Sequence, residues 1–236
     1  MIDAYIHTPL NSLLKLTGGA DFRVSESDQE YLSIGFFGPY KTVYSNDSLR
    51  QNQTGIYSAL NLNTAAGFNA EAGARLNIHS EYGSHFVYNL NPSFLLRNRF
   101  KFFANISSGY KTPSLYQLFS EYGNKILKPE SALTTEAGIQ YYSADKKLST
   151  RITGFSRNVK NIIIFFYDAS TFRSQYINQD KQNDFGFEWE GVYSYGKTTL
   201  RSLLQFYRRE YYHKRPVRQR QHILQSFAQA KIICQY

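Results

Sequence analysis

The sequence predicts an all-β fold: antiparallel, up-and-down strands that cross a membrane as part of a barrel. Three observations predict it. Segments of about ten residues alternate apolar and polar side chains, the periodicity of two that places successive residues on opposite faces of a strand. The connections between them run long and short by turns. The face opposite each apolar face carries charges on nearly every strand, as a wet lumen would.

The strands follow in order. In residues 12–23, Leu14, Leu16, Gly18, Ala20 and Phe22 oppose Lys15, Thr17, Gly19, Asp21 and Arg23. Residues 24–52 read as a long loop with a short apolar patch at 34–37. Residues 54–64 form the next strand and 65–67 a tight turn. Residues 68–78 alternate most cleanly: Phe68, Ala70, Ala72, Ala74, Leu76 and Ile78 against Asn69, Glu71, Gly73, Arg75 and Asn77. A connection at 79–83 leads to a strand over 84–95, which holds Pro92, a residue tolerated at strand ends and bulges. A turn at 96–99 precedes the strand 100–109.

After a long segment, Leu133, Thr135, Ala137, Ile139 and Tyr141 oppose Thr134, Glu136, Gly138, Gln140 and Tyr142. The turn 144–147 and a less regular strand at 148–159 lead to a long connection at 160–173. Residues 174–195 extend again, with Phe185, Phe187, Trp189, Gly191 and Tyr193 against Asp184, Gly186, Glu188, Glu190 and Val192. The turn 195–197 and the strand 198–208 complete nine strands, ten if the tail adds one. Large loops at one end and tight turns at the other are the asymmetry of outer-membrane barrels. A soluble antiparallel sheet packed on one face would alternate as well.

Composition narrows the classes. The chain has 236 residues, 20 Tyr, 18 Phe and one Trp, with 19% charged residues and a formal net charge of +9. The basic residues are scattered, so a nucleic-acid partner is not expected. The densest run, residues 208–220, falls in a tail without alternation. No apolar run approaches the ~18 residues of a membrane-crossing helix. The single cysteine, Cys234, permits no intrachain disulfide, and the five histidines lack ligand spacing, so no metal site and no cofactor are expected. Residues 1–10 lack the basic start and apolar run of a signal peptide. Glu188 and Glu190 share a strand face and read as lumen residues rather than as an acid–base pair, so no enzyme is expected.

The segment 109–130 reads GYKTPSLYQLFSEYGNKILKPE. In this order, Tyr110, Lys111, Pro113, Leu115, Leu118, Gly123, Leu127, Lys128, Pro129 and Glu130 resemble the paired motifs of the TonB-dependent outer-membrane receptors, which bracket an external loop. The stretches GFSRNVKNIIIFFYD (154–168) and YINQDKQNDFGFEWEG (176–191) resemble that family's following strands, the second through a Tyr-x-Asn step at Tyr176 and Asn178. The likeness covers about residues 10–208. Through LYQLFSEYGN and RNVKNII it is most similar to the cobalamin receptor type.

The resemblance implies part of a 22-stranded barrel whose N-terminal plug is absent here, divided as a partial barrel over 1–208 and an aberrant tail over 209–236. A one-nucleotide frame shift near the codon for Tyr211 is the reading offered for that tail. The resemblance also implies a place in the outer membrane of a Gram-negative bacterium, with lipid and lipopolysaccharide around the wall. Its implied partners are the TonB energy-coupling protein and a scarce, bulky ligand, cobalamin first. At the external loop, Tyr116, Phe119, Tyr122 and Asn124 are the candidate ligand contacts, whereas Tyr110, Phe165, Phe166 and Tyr167 read as the aromatic girdle. The segment alone is expected not to transport. An iron-chelate or haem receptor, a passive porin or adhesin barrel, and a soluble β binding module stay open.

Overall fold

A computed structural model describes residues 1–45, 49–212 and 223–235, with side-chain surroundings up to residue 211. The regular structure of the described chain is all strand except for one short helix. The strands are β1 (Ile2–Pro9), β2 (Leu14–Glu26), β3 (Gln29–Gly35), β4 (Gly38–Tyr44), β5 (Arg50–Asn63), β6 (Phe68–His79) and β7 (Gly83–Leu96). After these come β8 (Phe100–Lys111), the helix α1 (Leu115–Phe119), β9 (Glu130–Tyr142), β10 (Leu148–Asp168), β11 (Arg173–Tyr195), β12 (Thr198–Tyr212) and β13 (Ile223–Gln235). Eleven strands form one antiparallel sheet in the order β1-β2-β5-β6-β7-β8-β9-β10-β11-β12-β13, and β3 and β4 pair only with each other.

The sheet is inside-out relative to a soluble one. On one face Ile56, Phe86, Phe102, Ile152 and Phe187 are largely exposed, whereas on the other Asp21, Asn77, Thr153 and Asp184 are buried. Buried polar groups need partners, and these find each other across neighbouring strands. Arg75 reaches Asp21 at 2.6 Å and donates to Asn77 at 2.7 Å. Asn89 donates to Glu71 at 2.8 Å, and the amides of Asn91 and Asn105 continue the chain. Arg209 forks onto both carboxylate oxygens of Asp184 at 2.8 and 3.1 Å. A polar, paired interior and an apolar exterior are the arrangement that lipid outside and water inside stabilise.

The strand reading needs four corrections. Residues 24–52 are not one loop: β2 runs on to Glu26, β5 begins at Arg50, and the hairpin β3–β4 stands between them. Both hairpin faces are partly wet, so no single apolar face marks it in sequence. Its apolar patch is the tip, with Phe36 and Phe37 at the turn and Gly38 at φ +96.

The apolar run in 160–173 is likewise not a loop. It pairs as β10 with β11, from Ile162↔Gln179 to Asp168↔Arg173, leaving a turn at 169–172. At 21 and 23 residues these two strands far exceed the ~9–11 needed to cross a bilayer. Among the described residues, β9 pairs with β10 as far as Lys160, and β12 with β11 from Lys181. Among the described residues, the upper parts of β10 and β11 pair with each other as a two-stranded ribbon.

Residues 1–10 contain β1, whose Ile2, Ala4 and Ile6 alternate with Asp3, Tyr5 and His7, so ten rather than nine sheet strands precede residue 213. The tail forms β13 against β12, from Tyr211↔Ile223 to Thr199↔Gln235, although its side chains do not alternate. Backbone pairing needs only a complementary edge, which β12 offers whatever the side-chain pattern. The basic run falls mainly on residues 213–222, outside the described residues.

Candidate functional site

The site lies at the loop end of the sheet, where the segment after β8 folds into a cap. Ser114 opens α1 with a reciprocal capping box: its Oγ accepts the Gln117 N–H, and its own N–H donates to Gln117 Oε1 at 3.0 Å. Leu115, Leu118 and Leu127 are buried and Pro113 is fully enclosed, which gives the cap a small core of its own. Gly123 is required by close approach. A Cβ there would lie 2.6 Å from the Leu118 carbonyl oxygen and 2.8 Å from the Phe119 nitrogen, both backbone atoms that no rotamer can move.

The cap is then stitched to the ribbon. The Tyr176 N–H donates to the Tyr122 carbonyl at 2.9 Å, and Asn124 Nδ2 donates to the Tyr176 carbonyl at 2.9 Å. Together they pair a ribbon edge as a neighbouring strand would. Asn178 holds the backbone of Lys128, and Glu130 Oε1 accepts the Ile163 N–H at 2.8 Å while lying 3.5 Å from Lys111 Nζ. Tyr110 stacks on His85 at 3.8 Å. The motif residues thus act in the cap's framework, and the Tyr-x-Asn step of Tyr176 and Asn178 is the ribbon side of the same joint.

Between the cap and the hairpin β3–β4 opens a cleft of about 520 Å³. Tyr116, Phe119 and Tyr122 form the cap wall, and Tyr31, Tyr40 and Tyr44 form the hairpin wall. Tyr44 meets Phe119 at 6.3 Å between ring centres, while Phe165 bridges Tyr122 and Tyr176 at 5.3 Å each. The hairpin's root is set by Leu49, fully buried, whose carbonyl accepts the Ser27 N–H at 3.2 Å. Of the four candidate contacts, the structure brings Tyr116, Phe119 and Tyr122 to the cleft. Asn124 lies at the ribbon instead, its side chain engaged with Tyr176 and Ile126. The hairpin wall was not legible in the sequence, where only the tyrosines within 24–52 hinted at it.

A cleft walled by aromatic rings can enclose a bulky ligand and stack against it. Among the described residues, no group of three or more metal-ligating side chains comes together.

An inside-out antiparallel sheet with tight turns at one end and a capped, clefted mouth at the other is the wall of a transmembrane β-barrel. More particularly, the chain belongs to the TonB dependent receptor-like β-barrel family, whose model matches residues 4–221. Solved structures agree in fold. The siderophore receptor PirA from Pseudomonas aeruginosa is 20% identical with a TM-score of 0.71, over 98% of this chain and 46% of that one. The copper transporter OprC is 16% identical with a TM-score of 0.70, over 89% and 37%. A variant of the ferric enterobactin receptor from Pseudomonas aeruginosa, in complex with enterobactin, is 20% identical with a TM-score of 0.69, over 88% and 38%. The chain therefore spans less than half the length of these proteins.

Proposed function

We propose that this chain forms part of the wall and mouth of an outer-membrane receptor that takes up a scarce, bulky ligand, with cobalamin as that ligand. The observation that carries the reading is the aromatic cleft between hairpin and cap, held above an inside-out wall by the ribbon. The cleft captures the ligand from outside. The lumen, lined by Arg75, Glu71, Asp184 and Arg209, is the wet passage below it. Energy coupling belongs to a plug and its TonB partner, so the 236 residues alone bind or line but do not transport. The choice of cobalamin rests on the LYQLFSEYGN and RNVKNII stretches.

A second reading, an iron-chelate receptor, is favoured by the siderophore and enterobactin receptors among the structures of similar fold. The deciding experiment expresses the gene that contains this chain in cells lacking their own receptors. Growth limited by cobalamin and restored by the gene supports the first reading; growth restored only on a ferric chelate replaces it with the second. Restoration by neither removes the receptor reading.

A further inference from the structure

The lipid-facing side of the wall is apolar until it meets basic residues on three adjacent strands. Unbroken registers fix that side for β10, β11 and β12. Ile152, Trp189 and Leu204 stand opposite one another, as do Phe187 and Phe206, and all five are exposed. Opposed residues of antiparallel strands share a face, and every second residue keeps it. Lys160, Lys181 and Arg208 therefore project to this same side.

Lys160 stands directly opposite Lys181. Like charges so placed destabilise a strand pair, and an anion between them offsets that repulsion. Arg208 stands opposite Phe185, with its guanidinium 5.6 Å from the ring centre, and pairs with Glu210 at 2.9 Å. Lys181 and Glu210 have further contacts. Counting Asp180, the neighbour of Lys181 in sequence, the three cations still outnumber the carboxylates Asp180 and Glu210. The basic residues of 213–222 lie outside the described residues and form no part of the site. Neighbouring strands differ: at the level of Lys160, β8 and β9 present Tyr110 and Ser131, and on β2 and β5 Arg50 is matched by Glu26 at 3.3 Å.

The second observation is height. Tyr193 lies near the tight turn 195–197, Phe185 is eight residues from it and Lys181 twelve. At ~3.3 Å per residue and a strand tilt of ~40°, these stand roughly 20 and 30 Å above Tyr193. The apolar band of an outer-membrane barrel is about 25 Å tall, so its outer boundary falls between Arg208 and the lysine pair. Long basic side chains reach such a boundary by lying along apolar surface.

We infer that this patch binds a phosphorylated glycolipid of the outer leaflet. Lys160 and Lys181 hold one phosphate, Arg208 holds a second, and the acyl chains lie along Phe187, Phe206 and Leu204. Arg208 is four residues along β12 from Tyr212, the partner of Lys181, so the two centres are about 13 Å apart along the strands. A headgroup with a phosphate at each end occupies both, whereas a phospholipid with one phosphate occupies one. The inference goes beyond the uptake reading and holds whichever ligand the mouth takes.

The test is native mass spectrometry of the detergent-purified receptor encoded by the gene that contains this chain. It is titrated with diphosphorylated lipid A, monophosphorylated lipid A and phosphatidylglycerol. The diphosphorylated lipid is expected to bind tightest. Lys160→Gln, Lys181→Gln and Arg208→Gln each weaken it about fivefold, the effect of one basic residue at an anionic surface. Lys160→Arg with Lys181→Arg keeps the charge and the affinity. Lys197→Gln, in the turn at the other end of the wall, changes nothing. Equal affinity for the three lipids overturns the inference, as does unchanged affinity after Lys160→Gln with Lys181→Gln. A loss in Lys197→Gln as large as in those variants shows binding by overall charge and overturns it as well. None of these outcomes bears on the uptake reading.

Discussion

Asn178 holds both backbone groups of Lys128: its Oδ1 accepts the Lys128 N–H at 2.7 Å, and its Nδ2 donates to the Lys128 carbonyl at 2.9 Å. The same Nδ2 also donates to the Asn161 carbonyl at 2.7 Å, so one amide ties the cap, β10 and β11 together. Position 161 is where the ribbon departs from the sheet, and Asn161 there has φ 55.

Asn178→Ala removes all three bonds and leaves three backbone groups to find water. Loss of about 1–3 kcal/mol of local stability is expected, or roughly tenfold faster amide exchange in the cap. Hydrogen exchange followed by mass spectrometry reads it. Peptides from 115–129 should lose protection while those from β6 and β7 do not. Equal loss in both would show that the joint stabilises the whole sheet rather than the cap.

Gly123→Ala forces a Cβ onto the backbone of Leu118 and Phe119 and is expected to cost about 1–3 kcal/mol, as overpacking does. Gly35→Ala is the control, since nothing lies within 4 Å of a Cβ there. Ligand binding should fall for the first and hold for the second.

The Asp21–Arg75 pair faces the lumen with Asp21 nearly enclosed. Asp21→Ala leaves Arg75, which borders the wet lumen at 31% exposure, without its charge partner, and a loss of about 1–3 kcal/mol is expected. Removing both charges, with Asp21→Ala and Arg75→Met together, should recover part of it. A double-mutant cycle on urea unfolding in detergent measures the coupling. Simple additivity would show the pair to be wet and weak.

Leu76 points to the apolar exterior, 37% exposed, next to Asn77 on the opposite face. Leu76→Arg puts a charge on the lipid-facing side of β6 and is expected to cost about 1–3 kcal/mol and to reduce assembled barrel in the membrane fraction. Ala72→Leu on the same face should be tolerated, since it adds only apolar area toward lipid.

At the opposite end, the Asp145 carboxyl is held below the usual carboxylate range by the Ser143 hydroxyl at 2.6 Å and then by the Lys147 N–H at 3.2 Å. Its folded pKa is depressed, so this turn's stabilisation is complete above the ordinary value near ~3.9 and is lost as pH falls through the folded pKa. Titration of the carboxyl by NMR should show a midpoint below that ordinary value. Ser143→Ala should raise it.

Much of the wall was legible from residues alone. In β6, Phe68 to Ile78 alternates without a break, and its pairing with β5 and β7 keeps every apolar residue on one face. A period-two pattern survives wherever lipid lies on one side and water on the other, because each face has a single solvent. The hairpin β3–β4 lacks that contrast and reads as loop. The run Ile162–Tyr167 is apolar on both faces because the cap covers part of it, so its strand character depends on contacts far along the chain.

The candidate site divides in the same way. The order of Tyr110, Pro113, Leu118, Gly123 and Lys128–Glu130 carried the resemblance to the family in sequence, and the family model matches residues 4–221. Which of its aromatics share a cleft was decided only by tertiary structure. Tyr116, Phe119 and Tyr122 face Tyr31, Tyr40 and Tyr44 from about 75 residues away, and Asn124, two residues from Tyr122, turns to the ribbon instead. Local alternation is set by which solvent each residue meets. A cleft is set by which distant segments the sheet's strand order brings to the same end, and no local pattern encodes that order.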